Sequence, residues 1–442
     1  MRIALVSLQF EETATGGGGV HVKNICEQFL KQGHNVTVIS IHTEKTLNNV
    51  HLQDWYVPFN IQKRSRLSIV RFLIDRGIPQ PYVGEKNVEL SRIKRFADTV
   101  IRWMKMKQNE FDVVNLHGHH ILPGFIAKGL QGMNAKIVST VHALESSYIS
   151  KKGESLASFD ATEEVLKKLR KWEGMCRFAD AIVLNSPTVC DDFKGILKGQ
   201  KVDVDKFADK IKLISSGCNA DFLMADKEIE QKLSHIPETI NLITFCRLDP
   251  SKGIEYSING AKSAARKCSH KLCLLVAGIP ASDEYLKSLY SELEEMPQNL
   301  EIKLRLFSAI SPPEEKKTIL DDKHIYISPT LKEPFGMSLV EASARGNMIV
   351  STDNTGPRYM MKGEHNTHFD WGIATDYGLL AKIPENFHTE LVDNIGSSIT
   401  WIIDNWQKCV KCVLAFNQKI REQWTWEGIG KQYLDLFQQR DE

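Results

Sequence analysis

The sequence predicts a two-domain α/β protein built on parallel sheets, and three observations predict it. Apolar runs of strand length alternate with helix-period stretches. The alternation comes in two series parted by an irregular segment. The chain has 442 residues, beyond the size at which one hydrophobic core keeps growing. With 42% hydrophobic and 25% charged residues it can fill two cores, and its composition is far from that of a disordered chain.

The first series opens with a strand at Ile3 to Leu8, a glycine loop at Gly16 to Gly19, an amphipathic helix at Val20 to Gln32 and a strand at Val36 to Ser40. Strands at Val113 to Leu116, Ile137 to Thr140, Ala181 to Asn185 and Ile211 to Ile214 complete one sheet. Ser215 to Glu238 has poor periodicity with glycine, proline and charge, the marks of a hinge. The second series has strands at Leu242 to Cys246, Leu272 to Ala277, Ile302 to Phe307, Ile325 to Ser328 and Met348 to Ser351. The expected domains are therefore residues 1–215 and 216–419, both Rossmann-like. Helix spacing over Ile395 to Arg421 and Glu427 to Phe437 predicts a helical tail whose last part, about 420–442, packs back on the first domain. Trp401, Trp406, Trp424 and Trp426 suit packing at a domain junction.

A formal net charge of +1 gives a nucleic-acid partner no support. Nine cysteines, odd in number and irregularly spaced, argue against a disulfide framework and fit a reducing cytoplasm. Met1 to Phe10 reads as a buried strand and not as a signal peptide, and no apolar run is long enough to span a membrane. Charge is uneven in one place: residues 63–107 hold twelve Lys or Arg against four Asp or Glu. Within that segment Ile93, Phe96, Ala97, Val100 and Met104 share one helix face, with Arg92, Lys94, Arg95, Arg102 and Lys105 around it. An ordinary domain helix is the plain reading. Peripheral contact with anionic lipid, or guidance of a phosphorylated acceptor, is the functional one.

Three stretches could carry chemistry. The glycine loop follows a strand and opens a helix, where amides approach an anion at the positive helix end; a surface turn would look the same. After strand Leu242 to Cys246 come Arg247 and Lys252, two cations five apart at a strand's carboxyl end, able to clamp a diphosphate. In Pro329 to Pro357 the glutamates Glu333 and Glu341 stand eight apart around Pro334, Phe335 and Gly336, with a helix expected from Met337. A phosphate could rest on the amides of Gly336, Met337 and Ser338 while the carboxylates accept from sugar hydroxyls. A carboxylate that merely stabilises the helix dipole is the bland account of Glu333.

In this order the stretches resemble glycosyltransferase family 4, over nearly the whole chain. The most specific sign is the pair of glutamates in the Glu-Pro-Phe-Gly context, intact here as Glu333, Pro334, Phe335, Gly336 and Glu341. The resemblance implies a GT-B fold of two facing domains with the active site in the cleft between them, and retention of anomeric configuration. It implies that Glu333 and the Phe335 to Ser338 backbone hold the transferred sugar and phosphate, and that Glu341 holds the ribose hydroxyls. Arg247 and Lys252 look like the diphosphate pair, Gly17 and Gly18 like the loop that closes over it, and His142 like the active-site histidine beside the donor sugar. The sequence departs from the family at Ala143, where many relatives have aspartate, at Ser308, where glycine is common near the base, and at Thr355-Gly356-Pro357, which replaces a glycine pair.

Other patterns are set aside. Asp203-Val204-Asp205 fits a metal-holding Asp-x-Asp but lies among lysines in a polar segment. His117, His119 and His120 lack a zinc-ligand pattern and read as strand-end residues, with His117 and His119 candidates for touching the acceptor. Cys409 and Cys412 read as buried helix cysteines. The expected activity is transfer of a hexosyl unit from a nucleoside diphosphate sugar, UDP-glucose or UDP-N-acetylglucosamine before GDP-mannose, to an unidentified acceptor hydroxyl. No metal or other cofactor is expected. An epimerase or phosphorylase of the same fold, and a non-catalytic nucleotide-sugar-binding or membrane-scaffold protein, are the rivals.

Overall fold

A computed structural model describes residues 1–10, 17–41, 60–72, 86–107, 109–118, 122–147, 149–150, 159–160, 163–308, 312–384 and 387–439. The chain divides into two compact units, Met1–Ser215 with Trp426–Glu442, and Ser216–Thr425.

Among the described residues the first unit contains strands β1 (Arg2–Val6), β2 (Asn35–Ile41), β3 (Asn60–Arg64), β4 (Leu67–Phe72), β5 (Val113–Gly118), β6 (Lys136–Val141), β7 (Ile149–Ser150), β8 (Phe159–Asp160), β9 (Ala181–Leu184) and β10 (Ile211–Leu213). Its main sheet runs β10-β9-β6-β5-β1-β2-β4-β3, all pairs parallel except β3 with β4. The parallel strands are buried on both faces, so they read as continuous apolar runs and not as alternation. The antiparallel edge pair falls in a stretch where the sequence predicts no strand. Alternating Ile, Val and Lys or Arg carries too weak a signal there.

The helices of this unit are α1 (Gly17–Lys31), α2 (Lys86–Met106), α3 (Leu122–Gly129), α4 (Glu163–Glu173) and α5 (Pro187–Gly199). Ser186 caps α5, accepting from the Val189 amide at 3.4 Å. In α2 the apolar face, Ile93, Phe96, Ala97, Val100 and Met104, is buried in the core, and Lys94, Arg95, Arg102 and Lys105 are exposed. Ile93, Phe96, Val100 and Met104 each contribute roughly 1.5–3 kcal/mol by this burial.

The second unit is built from β11 (Thr239–Phe245), β12 (Lys271–Gly278), β13 (Leu300–Leu306), β14 (Ile325–Ser328), β15 (Met348–Thr352), β16 (Thr367–Phe369), β17 (Gly372–Thr375) and β18 (Gly378–Ala381). Their order is β13-β12-β11-β14-β15-β18-β17-β16, with β17 antiparallel to both β16 and β18 and the other pairs parallel. Around the sheet lie α6 (Asp226–Lys232), α7 (Ile254–Lys267), α8 (Asp283–Ser291), α9 (Pro313–Asp321), α10 (Met337–Ala344), α11 (Thr355–Met361), α12 (Phe387–Asp404) and α13 (Trp406–Gln423). The helical stretch expected over Ile395 to Arg421 lies in two helices, α12 and α13, parted at Asn405, whose backbone leaves the helical region at φ −121° and ψ 34°.

The last helix, α14 (Trp426–Gln438), packs with α1 in the first unit. The tryptophans divide accordingly. Trp406 donates to the Leu233 carbonyl at 2.9 Å and Trp424 meets Phe335 edge-on at 5.7 Å in the second unit, whereas Trp426 meets His21 edge-on at 5.1 Å in the first.

Candidate active site

In the second unit the chain runs outward from β11 to β12 and β13, then returns to place β14 on the other side of β11. Such a reversal opens a crevice at the carboxyl ends of the two strands, where open α/β sheets bind ligands. The residues that follow β11 and β14 meet in this place. Lys252, in a 3-10 turn after β11, donates to Glu333, after β14, with Nζ 2.7 Å from Oε2. The two side chains are 22% and 17% exposed, so both are sheltered yet reachable. Burial works against the Lys252 charge, but the Glu333 carboxylate, with smaller contributions from Cys246 and Asp249, outweighs it, and the ammonium is held above the ordinary lysine pKa. The lysine therefore carries its charge across the physiological range.

Arg247 lies beside this pair and is exposed. Its Nε donates to Asp249, whose other oxygen accepts from the Ser251 amide at 2.9 Å and from the Ser251 hydroxyl. Asp249, 7% exposed, thus ties the arginine to the turn that presents Lys252. This orienting residue escaped the sequence reading, although its position between the two cations was the available signal.

The Glu333 turn is held from β15. Its amide donates to Asn354 Oδ1 at 2.9 Å, and its carbonyl accepts from the Gly356 amide at 2.7 Å and from the Thr355 hydroxyl. A Cβ on Gly356 would stand 2.2 Å from the Phe335 carbonyl oxygen and 2.7 Å from that of Glu333, so only glycine allows the two backbones to approach. The stretch Thr355-Gly356-Pro357, a departure from the family pattern, is therefore the brace of the glutamate turn. Asn354 was missed because nothing local in the sequence marks a contact between segments 21 residues apart.

Phe335 is buried, and Gly336 caps α10 at φ 109° and ψ 56°, in the region glycine favours. The amides of Gly336, Met337 and Ser338 begin α10 with no carbonyl one turn behind them. Glu341, one turn inside, accepts from Lys316 of α9 at 2.8 Å. Lys316 also stands over the Phe245 ring at 5.9 Å, and Phe245 stacks on Phe307 at 5.6 Å. The sequence reading did not single out this lysine.

In the first unit the reversal lies between β1 and β5. Gly17 and Gly18 follow β1, but they form the first turn of α1 and not a loop before it. Packing of Val22, Ile25 and Phe29 overrides the low helix propensity of glycine. His117 ends β5 and His142 follows β6, with His117 Nδ1 3.4 Å from His142 Nε2. The main chain of His142 is fixed on both sides, its amide donating to the Gly118 carbonyl at 3.0 Å and its carbonyl accepting from Asn185 at 2.7 Å. His21 of α1 joins them: its ring centroid is 4.6 Å from that of His142, and its Nε2 is 3.2 Å from the Tyr433 hydroxyl. Burial pushes His21 and His117 well below the ordinary histidine pKa. Ligand nitrogens of the three rings lie within 4.8 Å of one another. The sequence could not assemble this group from three separate elements. His119 and Gly16 lie outside the described residues. Asp203 pairs loosely with Lys206 on the surface, and none of the nine cysteines is in a disulfide, Cys409 being buried and Cys412 half-buried.

Residues 15–217 match the family described as Glycosyltransferase Family 4, and residues 225–371 match Glycosyl transferases group 1. The chain belongs to glycosyltransferase family 4. This family 4 transferase is similar to the D-inositol 3-phosphate glycosyltransferase of Corynebacterium diphtheriae, 23% identical over 366 residues that cover 79% of this chain and 78% of the relative. Its fold matches the sucrose-phosphate synthase of Thermosynechococcus elongatus with a TM-score of 0.69, at 16% identity over 99% of this chain and 98% of the other. It also matches Anabaena HepE in complex with UDP-glucose, with a TM-score of 0.65, at 14% identity over 99% of each chain. The transferase has the GT-B fold.

Proposed function

We propose that the chain is a retaining glycosyltransferase that moves a hexosyl unit from a nucleoside diphosphate sugar to an acceptor hydroxyl, and that it needs no metal ion to do so. UDP-glucose and UDP-N-acetylglucosamine stand ahead of GDP-mannose as donors, a preference supported by the UDP-glucose complex of HepE. The observation that carries the reading is the meeting of Lys252 and Glu333 at 2.7 Å, at the strand reversal and beside the start of α10. A cation, a carboxylate and outward amides in one place match the three parts of a sugar diphosphate.

In this reading Arg247 and Lys252 take the diphosphate, the amides of Gly336 to Ser338 add to them, Glu333 accepts from sugar hydroxyls and Glu341 from the ribose. Gly17, Gly18 and His142 are assigned to the same donor. As the bond from the anomeric carbon to the diphosphate oxygen breaks, negative charge grows on the phosphate, and these fixed positive groups stabilise it. The acceptor oxygen bonds to the same face of that carbon, and its proton passes to the departing phosphate oxygen. The products are the glycoside and the nucleoside diphosphate.

Lys252→Ala tests the assignment. Turnover of the donor is expected to fall on the order of 100-fold to 1000-fold, with product of unchanged anomeric configuration by NMR. A parental rate in the variant would remove the diphosphate clamp from the reading, and an inverted product would remove retention.

A further inference from the structure

The contact between His117 and His142 needs one hydrogen, and the structure indicates which ring supplies it. His117 is fully buried, and among the described residues its Nε2 has no hydrogen-bond partner. Were that nitrogen protonated, a donor would be buried with nothing to receive it, and orphaned buried N–H groups are the rarest kind of unsatisfied group in folded proteins. A bare ring nitrogen at the same place carries no stranded hydrogen. The proton of His117 therefore sits on Nδ1, the atom 3.4 Å from His142 Nε2. His142 Nε2 must then accept, and the proton of His142 is left on its own Nδ1. Rotation of the His142 ring about its Cβ–Cγ bond would carry Nε2 away from His117, so the contact selects one ring orientation.

We propose that His117 is a positioning residue that locks His142 as its Nδ1–H tautomer, so that His142 meets the transferred sugar as a hydrogen-bond donor and does not serve as a general base. The second half rests on the reading of His142 as the histidine beside the donor sugar. The assignment agrees with transfer of the acceptor proton to phosphate, since a ring that donates at Nδ1 and accepts from His117 at Nε2 has no lone pair left to take it. It also assigns work to a histidine that the strand-end reading placed near the acceptor: His117 acts on His142.

Long-range proton–nitrogen NMR on the full chain, labelled with nitrogen-15 histidine and assigned with single His→Gln variants, reads the tautomers without any turnover. The expected spectrum shows His117 and His142 both with pyrrole-type Nδ1 and pyridine-type Nε2. In His117→Leu the His142 pattern shifts toward exchange between tautomers, and His117→Asn, whose amide nitrogen takes the place of Nδ1, restores it. A parental spectrum with His142 protonated at Nε2 overturns the proposal, and the parent alone suffices for this if the variants do not fold. One equivalent of zinc in the purified chain, with its removal shifting all three rings of His21, His117 and His142, also overturns it, because the nitrogens would then be metal ligands. A turnover assay separates the two layers. If the tautomers are as expected but His142→Gln keeps parental turnover, the placement of His142 beside the sugar fails and the lock by His117 stands.

Discussion

Lys252 and Glu333 are 81 residues apart in the chain and 2.7 Å apart in space. They satisfy each other, and in the proposed reading phosphate takes the place of the carboxylate for the ammonium and sugar hydroxyls take the place of the ammonium for the carboxylate. Charged groups held in waiting in this way need little rearrangement when the reaction charge develops. Glu173 illustrates the opposite use of a charge. It ends α4, is 2% exposed, and accepts from the Ser146 amide at 3.1 Å and from the Ser146 hydroxyl, so that it fixes the segment after His142. Burial pushes its pKa from 4.5 up to about 7, with the Ser146 hydrogen bonds pulling the other way. Between those values the folded chain holds a proton that the unfolded chain releases. The contribution of Glu173 to stability is thus largest below its unfolded pKa, falls as pH rises through the window and levels off above about 7. Urea denaturation across this range should show a slope that Glu173→Gln removes, amounting to about 3 kcal/mol. An identical pH dependence in parent and variant would show that Glu173 titrates normally.

At the scale of elements, the site depends on where strands stop and how the next helix starts. The α10 turn carries Glu333, Phe335 and Gly336, and it is held by Asn354, Thr355 and Gly356 at the end of β15. In Gly356→Ala the new methyl would meet the Phe335 carbonyl oxygen at 2.2 Å, and the turn would have to move. The expected loss of stability is about 1–3 kcal/mol, with a raised KM for the donor because Glu333 moves with its backbone. Parental values of both would mean that the turn does not depend on this close approach. The first turn of α1 teaches a related lesson. Gly17 and Gly18 are helical despite their propensity, because the apolar face of α1 packs on the sheet and on α14.

On the scale of the whole molecule, each unit repeats one architectural rule, a mostly parallel sheet whose strand order reverses in the middle. If the donor binds the folded chain selectively, the melting temperature must rise with its concentration; at 100 times Kd the stabilisation is about 2.7 kcal/mol. UDP-glucose or UDP-N-acetylglucosamine is expected to raise it more than GDP-mannose or ADP-glucose at equal concentration, measured by thermal shift. A larger shift with the guanosine or adenosine donor would reverse the assigned base preference.

The parallel α/β class, the core strands of both sheets and the glutamate pair around α10 were legible in the sequence, because a strand buried on both faces leaves a continuous apolar run and a helix start leaves proline and glycine. The antiparallel edges β3 with β4 and β16 with β17 were not, since short alternating segments resemble loops until a neighbour pairs with them. Tertiary structure alone decided which side chains meet: Lys252 with Glu333, Lys316 with Glu341, Asn354 with the Glu333 turn, and His21 with His117 and His142. Local pattern records the period of an element and the chemistry of its ends. Contacts between ends are set by the order of strands in a sheet, which is a property of the packed chain.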